Sequence, residues 1–145
     1  MSTKTHDDLI KEAVRWAKSL GYGVVEYHLG TETGADAIFE NQFKEYIVLE
    51  VVTGANFKGL FKKPRIKGKF ITPKQWIKEF LGLIIVGDRV ENVTKHGIEA
   101  GIPTKYFDPP EQRIFPVLVK DFEKVIPVLL VSLLGARASA YGRLA

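Results

Sequence analysis

At 145 residues the chain is one domain's worth of sequence, long enough to bury a single sizeable core. Its 46% hydrophobic and 26% charged residues exclude a disordered polymer. A net charge of +4 permits a nucleic-acid partner without demanding one, and the absence of cysteine excludes a disulfide scaffold, a thiol nucleophile and a thiolate metal site.

The lack of cysteine fits a cytoplasmic protein. The opening residues Met1 to Asp8 carry no apolar core, so no signal peptide is expected there. The longest strongly apolar stretch, Val125 to Leu134, has ten residues and contains Pro127, too short for a bilayer, so no membrane partner is expected. A single domain over 1–145 follows.

The first predicted element is an amphipathic helix, with Leu9, Ile10, Ala13, Val14, Ala17 and Leu20 at helical spacing. Thr5 and Asp8 form a capping-box pattern at its start, and Gly21 is a natural stop. Strands are expected at Val24–Leu29, Ala35–Phe39 and Tyr46–Val52. The last, YIVLEVV, is apolar enough to be buried on both faces. Residues 53–72 read as a long loop or a hairpin. A short helix is expected over Pro73–Phe80 with Thr72 as N-cap. Then come a strand at Leu83–Val86, a helix at Val90–Ala100, a strand at Thr104–Phe107 and a break at Asp108-Pro109-Pro110. The apolar segment Pro116–Leu134 is expected to be helical, and its surplus of apolar residues serves either burial on the sheet or a twofold homodimer contact. The fold class is α/β, a mixed sheet flanked by helices.

Glu50 lies in the middle of the most apolar strand, on the same face as Tyr46, Val48 and Val52. A buried carboxylate there is costly unless something pairs with it. Asp36 sits in a second apolar strand, GADAIFE. Two carboxylates on neighbouring strands that point to one spot are usually held there by a divalent cation. The alternative is that each meets a Lys, an Arg or water at a strand end.

Gly34-Ala35-Asp36 followed by Glu50-Val51-Val52 resembles the PD-(D/E)xK motif of the restriction-endonuclease-like nucleases. The helix-to-strand entry Ala17 to Val24 and the stretch GLIIVGDRVENVTKHGIEAGIPTKYFD are similar to archaeal resolvase-like and Mrr-like members, over about residues 6 to 108. The resemblance implies a restriction-endonuclease-like fold and a magnesium- or manganese-dependent DNA endonuclease. It implies Asp36, Glu50 and the Val51 carbonyl as metal ligands, with Glu26 or Glu12 as a further catalytic acid. The motif lysine is absent, because position 52 is Val52. Either a loop lysine (Lys58, Lys62 or Lys63) replaces it, or the chain is a catalytically inactive nucleic-acid-binding protein. A third reading is an α/β protein-interaction module unrelated to nucleases.

The window 58–78 carries Lys58, Lys62, Lys63, Arg65, Lys67, Lys69, Lys74 and Lys78 with no acid. Those eight cations leave the rest of the chain at −4, so the modest total conceals a concentrated basic segment. Contact with DNA phosphates is its simplest use, with a solvated loop as the plainer alternative. His6, His28 and His96 show no ligand spacing and read as cap, surface or satisfied polar groups, although His6 and His28 lie near element ends that can approach a metal-bound water.

Overall fold

The structure is a computed structural model that describes residues 5–30, 35–52, 65–66, 69–70 and 80–135. Its first element is α1, His6–Leu20, and the sequence signals at both ends are in place. The Thr5 hydroxyl accepts from the Asp8 amide at 3.1 Å, while the Asp8 carboxylate accepts from the Thr5 amide at 3.1 Å. At the other end Gly21 adopts φ 101°, a left-handed conformation that glycine enters without a Cβ penalty.

Five strands form one sheet: β1 (Gly23–Tyr27), β2 (Ala37–Glu40), β3 (Tyr46–Val52), β6 (Phe80–Gly87) and β7 (Ile114–Leu118). Their spatial order is β1-β2-β3-β6-β7. The β1–β2 and β2–β3 pairs are antiparallel, and β3–β6 and β6–β7 are parallel. The sheet is therefore mixed, as expected. Backbone pairing of β4 (Arg65–Ile66) with β5 (Lys69–Phe70) makes a small separate hairpin inside the segment read as loop or hairpin.

The pleat of β3 sorts its side chains as the alternation predicts. Ile47, Leu49 and Val51 enter one core cluster together with α1 and the last helix, α3 (Phe122–Leu134). Val48 and Val52 enter the opposite cluster with Val93 of α2 (Val93–Glu99), Ile102 and Phe107. Helices thus cover both faces of the sheet. Trp16 and Phe122, with ring centroids 5.4 Å apart, lock α1 to the start of α3.

Three expectations change. Thr104–Phe107 is a turn of 3₁₀ helix, not a strand, and the fifth strand is Ile114–Leu118. Two polar residues precede two aromatics in TKYF, and this short turn packs only Phe107 fully into the core. Pro116 to Leu118 consequently belong to β7, and α3 starts at Phe122. A proline is tolerated in β7 because the strand is at the sheet edge and needs no ladder donor on its outer side. Finally, Phe80 opens β6 rather than closing a helix; residues 73–79 lie outside the described residues. Among the described residues, no helix is long and apolar enough to cross a membrane.

Candidate functional site

The antiparallel register pairs Ala37 with Leu49. One residue further, Asp36 therefore falls opposite Glu50, just where β2 has ended and β3 continues. The two carboxyls meet and share a hydrogen bond. Each is fixed by backbone as well. Val51 N–H donates to Asp36 Oδ2 at 2.6 Å, and the Asp36 N–H donates to the Glu50 carboxylate. The ending of β2 thus puts the Asp36 side chain where a further strand carbonyl would have received Val51.

Burial raises the pKa of Glu50 well above the ordinary carboxylate range, and the adjacent Asp36 pushes it further. Asp36 is also raised by burial, partly offset by the Val51 hydrogen bond and by His6. Two carboxyls this close favour sharing a proton, since both cannot charge cheaply in the same spot.

His6, at the first position of α1, is the functional neighbour that spacing did not single out. Its Nε2 lies 3.2 Å from Asp36 Oδ1, and its Nδ1 lies 3.0 Å from Asp7 Oδ1. Asp7 is itself held by the Gly30 N–H at 2.8 Å, and that bond, with His6 next, lowers its pKa. A chain of contacts therefore runs from Gly30 through Asp7 and His6 to Asp36 and Glu50. The sequence signal was present: a histidine directly before an aspartate at a capped helix start. Only the packing of α1 beside the β1–β2 connection gives it a partner.

Glu26 pairs in register with Ile38, two residues along β2 from Asp36, so it shares the face of the carboxyl pair. Its Oε1 is 3.7 Å from His28 Nε2. Glu12 is placed differently: its Oε1 faces Arg15 at 3.6 Å on α1, about 9 Å of helix rise beyond His6. Val52 is half-buried against the second core cluster, on the Glu50 face. Arg65 and Lys69 lie on the β4–β5 backbone, while Lys58, Lys62, Lys63, Lys67, Lys74 and Lys78 lie outside the described residues.

Among the described residues, no group of three or more His, Asp and Glu is arranged to hold a metal ion. The donor set at Asp36 and Glu50 is two carboxyl groups. That is the protein contribution typical of magnesium, which keeps several waters and takes one or two carboxylates rather than a full protein cage. Two carboxyls are thus the donors that this site would offer a hard divalent cation. No family model, curated protein or solved structure matches this chain.

Proposed function

We propose that this chain has a restriction-endonuclease-like fold and acts on DNA by metal-assisted phosphodiester hydrolysis. The observation that carries the reading is the meeting of Asp36 and Glu50 across the β2–β3 register, both with raised pKa. Carboxyl groups whose pKa is raised by burial and by a like neighbour cluster at functional sites. Asp36 and Glu50 would hold magnesium or manganese, which supplies Lewis acidity and a water activated at neutral pH. Asp36 is oriented for this by Val51 N–H and by His6. Asp7 keeps the His6 ring in place from behind. Glu26, on the same sheet face as the pair, is the further acid this reading favours, and Glu12, which also meets Arg15, is the alternative.

A second reading has its own observation. Val52 brings neither charge nor a donor to the Glu50 face, which favours a catalytically silent DNA-binding protein. One experiment separates the two. Labelled single-stranded, duplex and branched DNA are incubated with the protein in magnesium, manganese or chelator, beside Asp36→Asn and Glu50→Gln. Metal-dependent cleavage that falls at least about 100-fold in both variants supports hydrolysis. Binding without cleavage under either metal leaves the silent reading, and the absence of both removes DNA as the partner.

A further inference from the structure

Three cations of α1 line a groove that the carboxyl pair does not use. Lys11, Arg15 and Lys18 recur at helical spacing, so they share one face. With Val14 and Tyr27 they line a groove of about 300 Å³ on the outside of the molecule. Val14 is buried and forms part of the core below, whereas Tyr27 is 45% exposed, among the most exposed large apolar side chains described.

The acids of α1 are mostly committed elsewhere. Asp8 closes the capping box with Thr5, and Asp7 holds Gly30 and His6. Both aspartates also lie within electrostatic reach of Lys11, and Glu12 meets Arg15 at 3.6 Å, yet the Arg15 side chain stays 70% exposed. The helix end that carries Lys18 is also its negative dipole end, which accounts for one lysine but not for a row of three with an aromatic beside it.

We infer that this groove binds the phosphate backbone of a single-stranded nucleic-acid segment, with Tyr27 as a platform for a base. The class of ligand follows from the combination. A row of cations tracks a polyanion, and an exposed aromatic along the same groove suits an unpaired base. Successive cations are separated by helix rises of about 6 and 4.5 Å, within reach of neighbouring phosphates of one strand for such long side chains. The groove also leads to the site. Tyr27 pairs with Ala37, the residue after Asp36, and α1 starts at His6 beside Asp36. A strand lying along α1 would thus run toward the carboxyl pair. This inference rests on the nucleic-acid part of the proposed function and is independent of whether the pair hydrolyses anything.

The test is anisotropy of a 5′-fluorescein 30-nucleotide single strand, and of its duplex, against salt. The full chain is compared with Lys11→Gln/Arg15→Gln/Lys18→Gln, with Tyr27→Ala, and with Lys95→Gln/Lys120→Gln/Lys124→Gln, which removes the same charge elsewhere. All are checked for an unchanged melting profile. The groove triple should flatten the single-strand slope of log K against log salt by about 2, at roughly 0.7 per phosphate contact. Tyr27→Ala should weaken single-strand binding about 5-fold or more and duplex binding little. The control triple should leave the slope in place. Equal effects of both triples, or none from the groove triple while wild type binds, overturn the inference and leave the proposed function standing. Wild type that binds no nucleic acid at low salt removes both. If the groove triple instead loses affinity only for anionic vesicles, the groove serves a lipid surface and the inference falls.

Discussion

Burial and the neighbouring Asp36 carboxyl both disfavour the charged form of Glu50. Its folded pKa lies above the unfolded value, so its contribution to stability is complete below the ordinary carboxylate pKa and is lost as pH rises through the raised folded value. At neutral pH the residue is a net cost to folding. Glu50→Gln keeps the shape and removes the charge. The variant is expected to be more stable than wild type at pH 7 by about 1–3 kcal/mol, the usual penalty for a buried polar group left uncompensated. The difference should shrink on acidification toward pH 4, which thermal melts across that range would register. A variant less stable than wild type at pH 7 would contradict the buried-charge account. The Asp36–Glu50 pair was legible in the sequence because strand alternation has period two and both carboxylates interrupt apolar runs. His6 was legible only as a group near an element end, because its contact with Asp36 joins a helix start to a strand end thirty positions away, and spacing alone does not encode that approach.

At the scale of elements, the β2–β3 hairpin is tied to α3 by Asn41, the buried polar residue among those described. Its Oδ1 accepts from the Phe43 and Glu45 amides at 2.9 and 3.0 Å, and its Nδ2 donates to the Leu133 carbonyl at 3.1 Å. The turn and α3 are thereby fixed together. Asn41→Ala leaves two amides and a carbonyl short of a partner, and is expected to cost about 2–3 kcal/mol in chemical denaturation. A loss below about 0.5 kcal/mol would show that water replaces the side chain. The helix α1 was readable from its periodicity and both caps. The fifth strand was not. Pro116 and the apolar run behind it pointed to a helix, and only pairing with β6 distinguishes an edge strand there. Close approach of β7 also explains Gly82: a Cβ at that position would stand 3.1 Å from the Phe115 ring.

Across the whole molecule, the sheet divides the chain into two unequal layers. One core cluster joins α1 and α3 to the sheet, and the other is closed by α2 and the Ile102–Phe107 region. The mixed α/β class was readable because apolar strand runs alternate with amphipathic helices, and the order of hydrogen-bonded strands was not, since it depends on long-range pairing. Charge was legible as an amount but only partly as a place. The basic window stood out in the sequence, whereas the α1 row was hidden among acids that the folded chain uses for capping and for holding Gly30 and His6.

The bond from Val51 to Asp36 gives the molecule a built-in gauge. A backbone N–H whose nitrogen lies 2.6 Å from a carboxyl oxygen has a strongly deshielded proton, and its resonance follows the charge on that oxygen. In a ¹⁵N-labelled sample the Val51 amide should lie well downfield of the other β3 amides. Titration with manganese-free magnesium should move it before the rest of the strand responds. If that resonance stays still while magnesium is added to millimolar levels, Asp36 does not take up the cation. One amide thus reads the occupancy of the carboxyl pair without any substrate, cleavage product or engineered label.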